Sequence, residues 1–121
     1  MIQKITKRIA VACAIALASS GAALAHAELH HASPEAGSAV SESPREVTLT
    51  FTDTLEAAFS SADVTDSNGA RVDEGKPQVN GNLIRIALRT LSPGSYRVHW
   101  RTVSVDTHRS EGSFTFNVSG Q

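Results

Sequence analysis

The sequence predicts an all-β protein, a small antiparallel β-sandwich or Greek-key barrel of about seven strands. Three observations predict it. Several short segments alternate apolar and polar residues, with the period of two that a half-buried strand requires. Turn-forming glycine, asparagine and proline separate these segments at short intervals, and no stretch after residue 25 has a clear helical pattern.

Four segments carry the strongest strand pattern, and they lie at residues 47–52, 83–88, 96–101 and 114–118. In the third, apolar Tyr96, Val98 and Trp100 share the face opposite Arg97, His99 and Arg101, so Tyr96 and Trp100 are predicted to be core residues. Weaker candidate strands lie at residues 29–32, at residues 62–65 and around Val72.

Turn chemistry accounts for the breaks between the predicted strands. Ser67-Asn68-Gly69, Asn80-Gly81-Asn82 and Ser92-Pro93-Gly94 supply residues that tolerate a positive φ or preset a turn. Residues 55–59 are compatible with one short helical turn.

The first 25 of the 121 residues are predicted to be a cleaved secretory signal peptide, and residues 26–121 a single β domain. A basic head with Lys4, Lys7 and Arg8 precedes an apolar run over residues 9–18, and small residues follow up to Ala25. An uncleaved anchor helix is the less favoured alternative, because the run is shorter than the roughly 20 residues that span a bilayer.

Charge and sulfur content restrict the function of the predicted domain. Removing residues 1–25 takes away three basic residues and no acidic one, so the formal net charge falls from −1 to −4. This balance argues against nucleic acid and anionic membrane surfaces as partners. Cys13 and Met1, the only cysteine and methionine, lie in the predicted signal peptide, so a metal site in the domain must use histidine and carboxylate.

His26 becomes the first residue if cleavage follows Ala25. A terminal histidine offers its α-amine and its ring Nδ1 to one metal ion, and a second imidazole would complete a set of three nitrogens. Such a set suits the tetragonal preference of Cu(II), which heads the affinity order of the divalent ions. The alternative is a histidine without a role at a frayed terminus.

Asp106 and His108 form the second candidate site. They are two residues apart, so in an extended segment both side chains leave the same face and could bind one metal ion. The alternative is an ordinary polar loop in which Asp106 accepts backbone N–H groups.

The remaining histidines are interpreted as solvated surface residues. His30 and His31 would point to opposite faces of a first strand, with a low-affinity auxiliary metal site as the alternative. His99 lies opposite the Trp100 face.

Three sequence blocks resemble CopC-type periplasmic copper-binding (copper resistance) proteins. They are His26-Ala27-Glu28-Leu29 with Ser33-Pro34-Glu35-Ala36-Gly37, then Leu49-Thr50-Phe51-Thr52-Asp53, then the Y-x-V-x-W-x-x-x-S-x-D-x-H block over residues 96–108. The blocks keep the family's order and cover essentially all of residues 26–121.

The resemblance implies a cupredoxin-like or immunoglobulin-like domain that holds one Cu(II) per mature chain. By position the ligands are His26, through amine and ring, together with Asp106 and His108. Asp53 falls where the family often has an acidic residue near the copper, as a weak ligand or an outer carboxylate, with a structural role at its strand end as the alternative. Because soft sulfur ligands select Cu(I) and the domain has none, no Cu(I) site is expected.

The expected function is that of a periplasmic Cu(II) carrier, buffer or delivery protein in copper homeostasis and resistance. It is expected to be a monomer, without enzymatic activity and without membrane insertion, whose partner beyond copper is an inner-membrane copper transporter. One alternative is a copper-dependent oxidative enzyme, which peroxide-driven oxidation of a polysaccharide would support. The other is a metal-free immunoglobulin-like interaction domain, which a chain that binds no copper after dialysis would favour.

Overall fold

The computed structural model describes residues 27–120, so the predicted signal peptide and His26 lie outside the described residues, as does Gln121. The strands are β1 Leu29–Ser33, β2 Ala39–Val40, β3 Glu46–Phe51, β4 Ser61–Asp66, β5 Asp73–Asn80, β6 Leu83–Leu88, β7 Gly94–Val103 and β8 Arg109–Val118, with a 3₁₀ helix at Ala57–Phe59. No helix in this part of the chain is long and apolar enough to cross a membrane.

The strands form two sheets of four, with the orders β1-β3-β6-β5 and β2-β8-β7-β4. Every pairing is antiparallel except the short parallel contact of β2 with β8. The prediction of an all-β fold is therefore confirmed, in its sandwich form. Eight strands replace the predicted seven or so, and the 3₁₀ helix occupies the segment where a short helical turn was predicted.

The core lies between the two sheets and is built from the predicted alternation. Val47, Leu49 and Phe51 are buried on β3, and the threonines between them are partly exposed. On β6, Ile84 and Ile86 are likewise fully buried. Burying one such side chain contributes about 1.5–3 kcal/mol relative to leaving it exposed, so this face of β3 and β6 stabilises the packing of their sheet on the other sheet.

β5 was not predicted beyond the weak signal around Val72. Its sequence is Asp-Glu-Gly-Lys-Pro-Gln-Val-Asn, and most of its side chains are exposed. It is an edge strand held by pairing to β6, with a register irregularity between Glu74 and Gln78 that contains Gly75 at φ +69°. Backbone hydrogen bonds at a solvent-facing edge need no alternating apolar pattern.

β1 departs from the alternation on which the prediction for His30 and His31 depended. The pairing of β1 with β3 is irregular between Leu29 and His31, and both histidines are exposed. An extra residue in a strand re-aims the side chains beside it. The prediction that these two rings point to opposite faces assumed a regular strand, and β1 is irregular at this point.

Candidate metal centre

The loop that carries Asp106 and His108 closes the long hairpin of β7 and β8. The two strands pair without interruption from Gly94↔Val118 to Val103↔Arg109. Beyond this last pair the chain turns tightly, because the Ser104 N–H donates to the His108 carbonyl at 2.9 Å and the Thr107 N–H donates to the Ser104 carbonyl at 2.8 Å.

The turn brings Asp106 and His108 together. The Asp106 Oδ1 lies 3.2 Å from the His108 Nδ1, and both side chains are 51% exposed. Two ligands at right angles on one first-row metal ion, each about 2.1 Å from it as in zinc sites, are about 3 Å apart. The pair is thus compatible in spacing and exposure with two adjacent positions on one ion.

The physical reason for this proximity differs from the one predicted. The prediction assumed an extended segment in which residues two apart share a face. The segment is instead a turn, and Thr107 between the two side chains adopts φ +73°. A β-branched residue in the left-handed region is a genuine outlier, so local contacts must hold it there.

The electrostatics of the loop keep Asp106 ionised. A hydrogen bond from the Ser104 hydroxyl, and next one from His108, hold the pKa of the Asp106 carboxyl below its ordinary value. A ligand must be deprotonated to bind a metal ion, so this carboxylate is ready to bind at neutral pH. The predicted alternative had Asp106 accepting mainly backbone N–H groups, whereas its leading donor here is a side-chain hydroxyl.

The start of the described chain is tied to the same end of the sandwich. The Glu28 N–H donates to the Thr52 Oγ1 and the Thr52 N–H donates to the Glu28 carbonyl, each at 2.9 Å. Two residues further on, the Thr54 carbonyl accepts the Val105 N–H at 3.0 Å. The segment 52–54 therefore connects the beginning of the domain to the loop of residues 104–108, which carries Asp106 and His108.

Asp53 lies in the middle of this connecting segment, two residues after the end of β3, and is partly buried. Its position is consistent with both predicted roles, an acidic group near the metal and a residue at a strand end. Within residues 27–120 no group of three or more histidine, cysteine, aspartate or glutamate side chains has the geometry to hold a metal ion. The described residues thus offer Asp106 and His108 as a pair.

Aromatic packing supports the hairpin beneath this end. The Trp100 ring lies between Phe51, at a centroid distance of 6.0 Å with edge-on geometry, and Phe114 at 6.2 Å. Its predicted place in the core is confirmed in the main, since it is partly buried against the core cluster. The Trp100 Nε1 is buried and has no hydrogen-bond partner among residues 27–120.

His99 belongs to a separate cluster on the outer face of β4, β7 and β8. Its Nε2 lies 2.7 Å from the Glu111 Oε2, and its Nδ1 lies 3.8 Å from the Asp63 Oδ2. The hydrogen bond to His99 lowers the pKa of Glu111, and the charge of Arg101 lowers it further. The predicted surface placement of His99 is confirmed, with contacts to two carboxylates that the sequence did not indicate.

A groove of about 740 Å³ lies beside the loop of residues 104–108, on that outer face. Thr107 lines it together with Phe59, Arg101 and Arg109. Phe59 is 68% exposed. The sequence pattern does not predict the groove, because a single aromatic residue in a short turn belongs to no periodic face.

The comparison with known proteins decides the family. The CopC domain matches residues 29–119, which is most of the chain and nearly all of its described part. The chain belongs to the CopC family. The segment 52–54 and the loop with Asp106 and His108 both lie inside the matched region, and His26 precedes it by three residues.

Two relatives and one solved structure align with this chain over most of their own length. Protein YobA of Escherichia coli strain K12 is 36% identical, with 78% of this chain and 79% of YobA covered. Copper resistance protein C of Xanthomonas campestris pv. juglandis is 35% identical, with 93% of each chain covered. The crystal structure of CopC from Methylosinus trichosporium OB3b is similar with a TM-score of 0.74 at 33% identity, covering 79% of this chain and 96% of that one.

Proposed function

We propose that this CopC-family protein binds Cu(II) and acts in copper resistance and homeostasis as an exported carrier, buffer or delivery protein. One observation carries the proposal: the Asp106–His108 pair lies at the end of the sandwich to which the start of the domain is tied. The relatives named for copper resistance support the choice of metal.

The ligand set that we propose combines this pair with His26. His26 is two residues from Glu28, whose backbone is fixed to Thr52, and two residues span no more than about 7 Å. After cleavage behind Ala25, the amine and ring of His26 would bind together with the Asp106 carboxylate and the His108 imidazole. Three nitrogens and one oxygen match the tetragonal ligand preference of Cu(II).

Cu(II) rather than Cu(I) is the proposed cargo, with one ion per chain. The chain has one cysteine and one methionine, Cys13 and Met1, and both precede His26. The site therefore contains imidazole, amine and carboxylate groups, which suit the harder Cu(II) ion. Because the pKa of Asp106 is held below its ordinary value, its carboxylate stays deprotonated and able to bind copper further into the acid range.

The proposed setting is the periplasm, reached through a signal peptide over residues 1–25, with copper exchanged with an inner-membrane transporter. The side chains of Asp106 and His108 are half exposed, which leaves the metal accessible to a partner without unfolding of the domain. We propose a monomer that carries its metal and does not catalyse a reaction.

The test compares two forms of the protein, one beginning at His26 and one with a single alanine added before it. Electron paramagnetic resonance follows the titration with Cu(II), and intact mass confirms each amino terminus. We expect one tightly bound Cu(II) in the first form, and a different spectrum with weaker binding in the second. Identical spectra and affinities would exclude the terminal amine as a ligand. If neither form bound copper, the metal-free interaction domain would replace the proposal.

A further inference from the structure

Ser104 organises the loop of residues 104–108, which carries the proposed ligands Asp106 and His108. It is completely buried, although it is polar and lies next to an exposed turn. Its N–H donates to the His108 carbonyl, and its carbonyl accepts the Thr107 N–H. Its hydroxyl donates to the Asp106 Oδ1. The three polar groups of one buried residue thus bind the three successive residues that contain both proposed ligands.

The body of the sandwich fixes Ser104 in turn. Ser104 forms an isolated β-bridge with Leu55, a buried residue. On either side, the Val105 N–H donates to the Thr54 carbonyl at 3.0 Å and the Glu56 N–H donates to the Val103 carbonyl at 2.8 Å. The Ser104 hydroxyl is therefore a donor at a fixed point and not on a mobile loop.

The other contact of the Asp106 carboxylate is the His108 ring at 3.2 Å, which is itself half exposed, and half of the Asp106 side chain is in solvent. Without the hydroxyl its carboxylate would sample several rotamers, and ordering it on metal binding would cost free energy. Groups that orient the ligands of a metal commonly change its affinity by 10–100-fold when they are removed.

We propose that Ser104 is a positioning residue, whose hydroxyl holds the Asp106 carboxylate in the orientation that binds copper. The proposal rests on the proposed function, since it concerns the affinity of the same site. It adds a residue that contacts no metal but sets how well one ligand is preorganised.

Substitution by alanine separates this role from a purely structural one. Ser104→Ala removes the hydroxyl but keeps the N–H and the carbonyl that close the turn, so the loop backbone retains both of its hydrogen bonds. Ser60→Ala is the matched control. Ser60 is also a buried serine, and its hydroxyl accepts the Val103 N–H at 3.1 Å without contacting Asp106.

The experiment measures Cu(II) affinity by competition with a chelator, using protein that begins at His26. We expect Ser104→Ala to weaken binding by about 10–100-fold and to change the paramagnetic resonance spectrum. Ser60→Ala should lower the midpoint of thermal unfolding but leave affinity and spectrum unchanged.

A double-mutant cycle with Asp106→Ala tests whether Ser104 changes copper affinity through the Asp106 carboxylate. If the hydroxyl acts through the carboxylate, Ser104→Ala will cause no further loss of affinity once Asp106 is alanine. The proposal is overturned if Ser104→Ala binds copper as tightly as the unsubstituted protein, or if its effect is equally large in both backgrounds.

Failure of the proposed function would give a different result. In that case Asp106→Ala alone would leave copper binding unchanged, or the unsubstituted protein would not bind copper, and Ser104 would lose its assigned role together with the site.

Discussion

At the level of single residues, Gly112 shows how closely the hairpin is packed around Trp100. A Cβ added at Gly112 would lie 2.4 Å from the Trp100 Cζ2 and 2.7 Å from its Cη2. The ring cannot easily move away, because Phe51 and Phe114 pack on it from other sides. A glycine at residue 112 is therefore required by space and not by backbone conformation.

We predict that Gly112→Ala destabilises the protein by about 1–3 kcal/mol, the usual cost of overpacking. Urea unfolding, followed by the fluorescence of the single tryptophan, measures the change. The emission of the folded state should also shift, since the indole must be displaced. Ser113→Ala, at the neighbouring exposed position on β8, is the control and should stay within about 0.5 kcal/mol of the unsubstituted protein. Equal stabilities for the two variants would show that the ring has free space.

The candidate site shows what single residues can and cannot indicate in a sequence. Asp106 and His108 were found from their spacing, and the structure does bring them together. Their proximity arises from a turn closed by Ser104 and from the left-handed backbone of Thr107. Neither feature has a local signature, because serine and threonine occur in every kind of loop. Residue types and spacing therefore predict that Asp106 and His108 lie close together. The turn that brings them together is visible only in the tertiary contacts.

At the level of elements, the outer face of β4, β7 and β8 is joined by a cluster of polar side chains as well as by backbone pairing. His99 on β7 is placed between Glu111 on β8 and Asp63 on β4. The cluster contains Arg101 as well, whose charge also acts on Glu111. A carboxylate whose pKa differs between the folded and the unfolded state makes stability depend on pH, so acid titration can measure the contribution of this cluster.

We predict that Glu111 makes unfolding dependent on pH in the acid range. Its folded-state pKa is lowered, first by the hydrogen bond with His99, so its stabilising contribution is fully present above the pKa of an unfolded glutamate, about 4.3. The contribution is lost as the pH falls through the lower folded-state pKa. Urea unfolding between pH 3 and pH 7 should show Glu111→Gln less stable at neutral pH, with the difference shrinking below about pH 4.3. Glu46→Gln, on the other sheet, serves as the control. A constant difference across this range would contradict the prediction.

The strands that the sequence predicted best are those with one face in the core. β3, β6, β7 and β8 each bury alternate residues, so their composition carries the period of two. β5 and β2 were missed because backbone pairing at an edge defines them. Edge strands gain little from apolar side chains, and a pattern-based prediction has nothing to detect there.

At the level of the whole molecule, the core that stabilises the fold lies apart from the proposed metal ligands. The core between the sheets consists of residues such as Leu49, Ile84 and Phe116, all fully buried, and none of them is a proposed ligand. The proposed ligands lie at one end of the sandwich and are exposed or outside the described residues. We therefore predict that the protein without copper has the same far-ultraviolet circular dichroism as with copper and unfolds cooperatively. A loss of β signal on chelation would show that the metal is needed for folding.

If folding does not need copper, copper should still stabilise the folded state by mass action. A ligand that binds only the native state adds about 2.7 kcal/mol when its free concentration is 100 times Kd, which for a domain of this size raises Tm on the order of 10 °C. We predict this rise for protein that begins at His26, because the unfolded chain cannot hold Asp106 and His108 against the terminal amine. With one alanine before His26 the rise should be much smaller, although the sandwich and the Asp106–His108 pair are unchanged. Calorimetry over a series of Cu(II) concentrations distinguishes the two. A rise of equal size in both proteins would mean that copper binds independently of the terminal amine and that the ligand set must be sought elsewhere on the domain.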